Sequence, residues 1–448
     1  MLKRLFEKLR SQPASIENIY RLDGRVPVLQ AIPFGLQHIL AMFVANIAPV
    51  MIVAGVCGLS ASDTTRLIQT AMIIAGIGTL IQICPLKFIG SRLPIVMGIS
   101  FTFVSVFCYV GPLYGYSAVI GAVLVGGIVE GLLGLLAKYW RHIIAPIVSA
   151  CVVTAIGFSL LSIGANSFAG GTGSSDFGAW QNWLLGGVTL IACLVFHVLV
   201  KGHLKQLSVL FGLVVGYVLA LFMGKVDFSA FEGISVVSFP HIMPYTPEFN
   251  ISAIFSVIMI FLVSATETIG DTSAFTAVAL KREPTDKEIS GSLCCDGLIS
   301  SLSSIFGCLP ITSFSQNVGL ITMTKVVNRF TIGTGAVLMI VAGFIPAVGA
   351  LFATLPESVL GGCTIMMFGN IVVSGLQMIE KCGFSQRNIT IIALSLGVGL
   401  GFTQVPEMFD IFPNLVQTIF AENCVAVVFI LSIFLNLFLP KEKVEEEA

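Results

Sequence analysis

The chain has 448 residues, of which 56% are hydrophobic and only 10% are charged, and its mean hydropathy is +0.97. A soluble globular protein carries about 25% charged residues, so this composition excludes a large soluble domain. The net charge of −1 leaves no basic face that could neutralise phosphates, which excludes nucleic acid as a partner.

Neither the N-terminus nor the cysteines indicate export or a disulfide framework. The first residues, MLKRLFEKLR, are basic and amphipathic and lack the apolar region of a secretory signal. We interpret residues 1–30 as a cytoplasmic lead-in. The 11 cysteines are scattered, mostly in apolar stretches, and form no C-x-x-C pair. They are expected to be free thiols that pack as small hydrophobic residues.

Apolar stretches long enough to cross a membrane recur along the whole chain. A hydrocarbon core about 30 Å thick needs about 20 apolar residues per helix. The sequence predicts 14 transmembrane segments, of which the third and tenth are short and interrupted by polar residues. Their approximate centres, in chain order, are Ala45, Ile77, Ser100, Gly126, Val153, Thr189, Val214, Ile260, Ser301, Val318, Val341, Met367, Leu396 and Phe429.

The basic residues support this count independently, because positive loops stay on the cytoplasmic side. With the N-terminus inside, 14 segments place 21 of the 23 lysines and arginines in cytoplasmic segments, and only Arg66 and Lys225 fall outside. The pattern therefore predicts that both termini are cytoplasmic.

The two interrupted segments share a sequence. Leu93-Pro94-Ile95 opens the third and Leu309-Pro310-Ile311 opens the tenth, 216 residues later. An offset of seven segments would invert the second copy in the membrane. Inverted repeats with discontinuous elements near the midplane are a recurring plan of secondary transporters.

Few ionisable side chains fall deep in the predicted segments, and a charge at mid-membrane costs about 2.5–3.5 kcal/mol. Glu267 and Asp271 are four residues apart and therefore share a helix face. Two acids this close in a poorly hydrated site resist ionising together, which suits a proton carrier. Asp296, in a serine-rich segment, is either a proton site or a bridge to the tenth segment.

Three other ionisable residues are weaker candidates. His38 is a lone histidine for which a packing role and proton transfer both stay open. Glu130 lies near the inner end of its predicted segment and Glu422 near the outer end of the last. Both are expected to reach interfacial water and are left out of the site.

The polar run in the tenth segment begins with Gln316 and Asn317, whose amides both donate and accept hydrogen bonds. A planar heterocycle with alternating N–H and C=O groups requires that pairing. Phe101 and Phe103 in the third segment could stack on such a ring. A buried carboxylate with an amide and backbone N–H groups would suit a purine or a pyrimidine.

These segments resemble the nucleobase–ascorbate transporter family over essentially the whole chain. The family signature is Gln, Glu or Pro, then Asn-x-Gly, four free positions, Thr, and Arg, Lys or Gly. It is matched at every fixed position by Gln316, Asn317, Gly319, Thr324 and Lys325. Gln37-His38, the Glu267/Asp271 pair and Asp296 also fall where the family has polar residues.

The resemblance implies an all-α polytopic membrane protein with a seven-plus-seven inverted repeat, in which segments 3 and 10 each begin as a short strand and continue as a half-helix. A core domain would comprise residues 31–138 and 249–355, and a gate domain that dimerises would comprise residues 139–224 and 356–440. Residues 225–248 would form an extracellular loop and residues 441–448 a cytoplasmic tail. The location implied is a bacterial cytoplasmic membrane.

The resemblance also implies the site. Glu267 and Gln316 would hold the base, with backbone groups of Phe101 and Ser315, and with Thr102, His38, Asn317, Val318 and Gly319 nearby. Glu267, Asp296 and Asp271 would be the proton-linked acids. No cofactor or metal is expected beyond the coupling proton.

Two departures from the uracil branch of the family bear on the substrate. The resemblance implies that uracil transporters have Glu at the position of Gln316 and His at the position of Asp271. This chain has Gln and Asp there, as purine-type members do. Thr102 and Ser315 resemble urate-type members. The expected activity is proton-coupled, elevator-like uptake of xanthine or urate. The alternatives are another nucleobase such as uracil, or an anion exchanger or channel of the same architecture. An intramembrane hydrolase is disfavoured because no G-x-S-x-G or H-E-x-x-H motif occurs.

Overall fold

The computed structural model describes residues 15–141, 144–231, 233–413, 416–421 and 423–440. Residues 1–14 of the predicted lead-in, the predicted tail at 441–448 and Glu422 lie outside the described residues. Within these ranges the protein is mostly helical, as the composition and the resemblance predicted.

The first half of the chain holds one short strand among its helices. In order these are α1 (Val28–Val56), α2 (Ala61–Ile83), β1 (Met97–Ile99), α3 (Val104–Tyr114), α4 (Tyr116–Leu135), α5 (Ala137–Trp140), α6 (Pro146–Phe168), α7 (Trp180–Leu199) and α8 (Ser208–Phe222). Single 3₁₀ turns lie at Ile16–Tyr20, Phe101–Phe103, Gly202–Leu207 and Phe228–Phe231.

The second half repeats this pattern of long helices and one strand. In order these are α9 (Ile251–Leu280), α10 (Asp286–Ile305), β2 (Ile311–Ser313), α11 (Ser315–Thr324), α12 (Arg329–Gly343), α13 (Pro346–Ala353), α14 (Glu357–Cys382), α15 (Gln386–Thr403) and α16 (Cys424–Phe438). A 3₁₀ turn at Pro406–Phe409 and a π-helical turn at Gln417–Ala421 precede α16.

The two strands pair with each other in the interior of the protein. They are antiparallel, and Gly98 lies opposite Thr312 at the centre of the register. Each lies at one of the two Leu-Pro-Ile sequences, in the segments where the resemblance implied a strand: β1 follows Ile95, and β2 begins at Ile311. Every strand residue is buried. Because buried backbone N–H groups require partners, the outer edges of this ribbon are bonded by side chains. The Ile99 N–H donates to Asn46 Oδ1 at 2.7 Å, and the Ile311 N–H donates to Ser300 Oγ at 3.1 Å.

Helix contacts fall mainly within two sets. One set contains α1, α2, α4, α9, α10, α12 and α13 together with both strands. The other contains α6, α7, α8, α14, α15 and α16. Between the sets, α9 contacts α6 and α16, and α1 contacts α8 and α14.

Glycines allow the closest helix contacts within both sets. A Cβ built on Gly127 of α4 would lie 2.5 Å from the Gly297 carbonyl oxygen of α10, and one on Gly361 of α14 would lie 2.1 Å from the Phe168 nitrogen. Small residues let helix backbones approach in this way, as is typical of membrane helices.

By length and composition, seven helices of the described residues are apolar enough to cross a bilayer, and the pair α12–α13, bent by 79°, is an eighth candidate. Every predicted segment centre lies in a helix except Ser100, which lies between β1 and the following 3₁₀ turn. The full count of fourteen crossings, the inverted repeat and the domain boundaries stay predictions.

Candidate functional site

The candidate site lies where the two strands end and α9 passes beside them. After β1 the chain turns through Ser100 into the 3₁₀ turn that holds Phe101 and Thr102, and after β2 it enters α11 at Ser315. Helix α9 packs against this 3₁₀ turn, against β2 and against α11. Helix N-termini present backbone N–H groups and favour electronegative atoms, so the ends of both strands are suited to bind a polar ligand.

Glu267 on α9 is held by a residue of the first interrupted segment. The Thr102 hydroxyl donates to Glu267 Oε2 at 2.6 Å. Thr102 is buried, whereas Glu267 is half-buried. A carboxyl group with one donor on one oxygen can accept further hydrogen bonds from a ligand.

Asp271, one turn further along α9, faces the second interrupted segment. Its Oδ2 accepts a hydrogen bond from the Ser313 hydroxyl at 3.0 Å, and the Ser315 hydroxyl also interacts with it. The predicted shared helix face of Glu267 and Asp271 is therefore present, and each acid contacts a different interrupted segment.

Asp296 on α10 belongs to the same hydrogen-bonded network. Its Oδ2 accepts from the Thr268 hydroxyl at 2.6 Å and from the Ser313 backbone N–H at 2.9 Å. The Ser313 hydroxyl lies 3.3 Å from Thr268 Oγ1 and also bonds Asp271. The bridge to the tenth segment, one of the two roles predicted for Asp296, is present; its role as a proton site stays a prediction.

The signature residues divide between open space and the protein interior. Ser315, Gln316 and Gly319 are exposed, and a Cβ built on Gly319 would meet no atom within 4 Å. Asn317 is buried, and its amide donates to the His38 carbonyl oxygen at 3.4 Å. Gln316 is therefore free to bind a ligand, while Asn317 connects the segment to α1.

The remaining signature residues end the helix. The Thr324 hydroxyl donates to the Leu320 carbonyl oxygen at 2.9 Å and accepts from the Val326 N–H at 3.2 Å. Lys325 adopts a left-handed conformation with φ 58° directly after α11. Val318 is buried in the hydrophobic core.

The two phenylalanines of the third segment have different environments. The Phe101 ring makes an edge contact with Phe368 of α14, with centroids 5.3 Å apart. Phe103 packs between Phe107 and Phe261 and is fully buried. Of the two candidates for stacking on a ligand ring, Phe103 is therefore a core residue, and Phe101 lies at the contact between the two helix sets.

His38 and Glu130 require separate comment. The His38 ring is buried, and neither ring nitrogen has a hydrogen-bond partner among the described residues. The expectation that Glu130 reaches interfacial water is wrong, because the structure places it fully buried against α10.

Sequence reasoning missed three polar residues of the site: Thr268, Ser313 and Asn46. Each bonds an acid or a strand edge across the fold. The only signal in the sequence was position: Thr268 follows Glu267, and Ser313 lies two residues before Ser315. Among the described residues no group of three potential metal ligands occurs.

Comparison with known proteins identifies the family. The model of a permease family, Xan_ur_permease, matches residues 29–408. The chain is 34% identical over 442 residues to the xanthine permease XanQ of Escherichia coli, covering 95% of each protein. The chain belongs to the nucleobase–ascorbate transporter family. This confirms the resemblance drawn from the signature and makes the protein a multi-pass membrane permease.

Other relatives and solved structures agree with this assignment. The chain is 35% identical over 389 residues to the uric acid permease PucK of Bacillus subtilis, covering 85% of this chain and 89% of that protein. The transmembrane domain of the cyanobacterial bicarbonate transporter BicA superposes with a TM-score of 0.57 at 14% identity, covering 92% and 97% of the two chains. SLC26A9 superposes with a TM-score of 0.63 at 13% identity, covering 92% and 66%. These two likenesses show a shared fold.

Proposed function

We propose that the protein takes up an oxidised purine, xanthine or urate, together with a proton across the cytoplasmic membrane of a bacterium. The single observation that carries the proposal is the half-buried Glu267 carboxyl group, bonded by Thr102, on a helix that packs against the signature segment holding the exposed Gln316. Several relatives are named xanthine permease or uric acid permease, which supports a purine as the substrate.

The chemistry of the substrate fits this pair of residues. An oxidised purine carries adjacent ring N–H and C=O groups. The Glu267 carboxyl oxygens accept hydrogen bonds from N–H groups, and the Gln316 amide both donates and accepts. Backbone N–H groups at Phe101 and Ser315, each at the start of a helical segment, complete the contacts. Gln316 in place of a carboxylate favours a purine over uracil.

The acids that share this site support proton coupling. Glu267, Asp271 and Asp296 lie on two neighbouring helices, and none takes part in an ion pair within the described part of the chain. An unpaired charge at membrane depth is costly, so a proton that neutralises one acid favours binding of the neutral purine. Moving one charge through 100 mV supplies about 2.3 kcal/mol, which supports roughly 40-fold accumulation.

The two helix sets supply the moving parts of this mechanism. The set that contains the strands acts as the core domain, and the set built around α6 and α14 acts as the gate domain and dimerises. The core slides along the gate and carries the site across the membrane. Built Cβ atoms on Gly270 and Gly319 would meet nothing within 4 Å, so each glycine borders open space next to a residue of the site.

The fold favours one second candidate, an anion exchanger or channel, because BicA and SLC26A9 share the architecture. The half-buried Glu267 carboxyl group disfavours it, because a carboxyl oxygen needs a hydrogen-bond donor, which the ring N–H groups of a purine supply and chloride lacks. Chloride and bicarbonate flux through reconstituted vesicles, without purine uptake, would favour this alternative.

Uptake of radiolabelled xanthine and urate by a purine-transport-deficient bacterial host tests the proposal. The wild-type protein should accumulate one of them, and a protonophore should abolish accumulation. Glu267→Gln should abolish it while the protein stays in the membrane, and Glu283→Gln, an exposed acid of a loop, should behave as the wild type. Protonophore-sensitive accumulation by Glu267→Gln would refute the role of Glu267.

A further inference from the structure

Glu130, on α4, is a buried acid to which the proposed mechanism gives no role. Its side chain is fully buried, and neither carboxyl oxygen makes a hydrogen bond to any described residue. The Ser264 hydroxyl of α9 faces it and also lacks a partner within hydrogen-bonding geometry. A buried carboxyl group without donors is strongly disfavoured as an anion. Packing alone would be served better by an apolar side chain.

The packing of α4 on α10 brings Glu130 next to Asp296. Glycines on both helices let the backbones touch: a Cβ built on Gly297 would lie 2.9 Å from the Glu130 carbonyl carbon and 2.3 Å from the Gly131 nitrogen. Gly297 follows Asp296 in the chain, and the two acids are close enough to interact electrostatically. Asp296 Oδ1 is also buried without a partner. Three unpartnered carboxyl oxygens therefore lie in one region of the interior.

The charged and titratable groups around this pair are acids and thiols. Helix α10 contributes Asp296, Cys294 and Cys295, and α9 contributes Glu267 and Asp271. No ion pair of the described residues includes any of these acids. With no cation to compensate them, two ionised acids here would repel each other, and a proton is the smallest species that removes one charge.

The two acids differ in their hydrogen bonds, and this difference indicates which one carries the proton. Asp296 Oδ2 accepts from the Thr268 hydroxyl and the Ser313 N–H, and hydrogen bonds to a carboxylate favour its charged form. Glu130 is faced only by the Ser264 hydroxyl, which lies outside hydrogen-bonding geometry. A metal ion would need more oxygen ligands than this pair supplies.

We propose that Glu130 and Asp296 form a second proton-binding site behind the substrate site, with the proton on Glu130 and the charge on Asp296. The proposal rests on the proton coupling proposed above. The Asp296 charge acts on β2 through the Ser313 N–H, and Ser313 also bonds Asp271 of the substrate site. Loss of the Glu130 proton would place two charges on facing helices and so change how α10 holds the strand.

Glu130→Gln keeps the size of the side chain and fixes it in a neutral form. In proteoliposomes with an imposed gradient of one pH unit, each coupled proton increases substrate accumulation by a factor of about ten. Glu130→Gln is expected to lose one such factor, while exchange of labelled for unlabelled purine without a gradient stays within about twofold of the wild type. Glu283→Gln is the matched control and should keep both activities.

The outcomes separate this inference from the proposed function. If the wild-type protein itself shows no accumulation driven by the gradient, the proposed coupling fails. If the wild-type protein accumulates purine and Glu130→Gln does so equally well, only the second proton site is overturned.

Infrared difference spectroscopy tests the site without transport. A pH titration of the wild-type protein should show the C=O band of a protonated carboxyl group that disappears in Glu130→Gln and changes frequency in Glu130→Asp. If Glu130→Gln does not fold, Glu130→Asp, which is smaller and keeps the acid, provides the test. A band that neither variant changes, or no pH-dependent band, would overturn the proposal.

Discussion

Replacing Thr102 by valine tests whether the orientation of Glu267 determines substrate binding. Valine has the shape of threonine and leaves no cavity, so the main change is loss of the hydroxyl that donates to Glu267 Oε2 at 2.6 Å. A hydrogen bond to a charged group contributes about 1.5–3 kcal/mol. Because Glu267 is half-buried, water replaces part of the lost donor, and the lower value applies. The bond is already present without ligand, so only the part of this energy that orients the carboxyl group enters the Kd. At about 1.4 kcal/mol per factor of ten, the Kd for the purine should increase by up to about tenfold.

Equilibrium binding of labelled xanthine and urate to purified protein in detergent measures this effect. Thr102→Ser keeps the hydroxyl and is the matched control, with an expected change of less than about threefold. If Thr102→Val binds the purine as tightly as the wild type, Thr102 does not position the acid. Equal losses in both variants would show that the methyl group, rather than the hydrogen bond, is responsible.

Three further predictions follow from the packing and from the exposed acids. Asn46→Leu removes the acceptor of a β1 backbone N–H and leaves a buried donor without a partner. The free energy of unfolding should fall by about 1–3 kcal/mol, and a thermal-shift assay should show a lower melting temperature. An unchanged melting temperature would contradict this. Gly127→Ala places a Cβ 2.5 Å from the Gly297 carbonyl oxygen and should destabilise the protein by about 1–3 kcal/mol. A variant as stable as the wild type would show that α4 and α10 pack less closely than in this structure. The pKa of Asp176, in a loop, is lowered to about 2, mainly by the Ser174 hydroxyl. Its stabilising contribution is complete above its unfolded pKa and is lost as the pH falls from there through about 2. Asp176→Asn should therefore leave the pH profile of uptake between about pH 5 and pH 8 unchanged, and a shifted profile would contradict this.

The local features of the site could be predicted from the sequence because they depend only on spacing. Glu267 and Asp271 share a face because four residues make about one helical turn. The interrupted segments were recognised from Leu-Pro-Ile and the polar run that begins at Gln316, and the strands lie there.

The contacts across the fold could not be predicted in the same way. Asn46, Thr268 and Ser313 are ordinary polar residues of apolar segments, and only the tertiary structure shows which of them bonds a strand edge or an acid. Glu130 was misjudged for the same reason. Its distance from the helix end indicated interfacial water, but the glycine contact between α4 and α10 encloses it beside Asp296.

Proton movement that accompanies purine entry is the most direct test of the central claim. Purified protein is reconstituted into lightly buffered proteoliposomes, unlabelled xanthine or urate is added outside, and the external pH is recorded. Proton-coupled transport predicts that the medium becomes more alkaline when the purine is added, and that Glu267→Gln abolishes the change. Purine entry at the wild-type rate with no change in external pH would contradict the account.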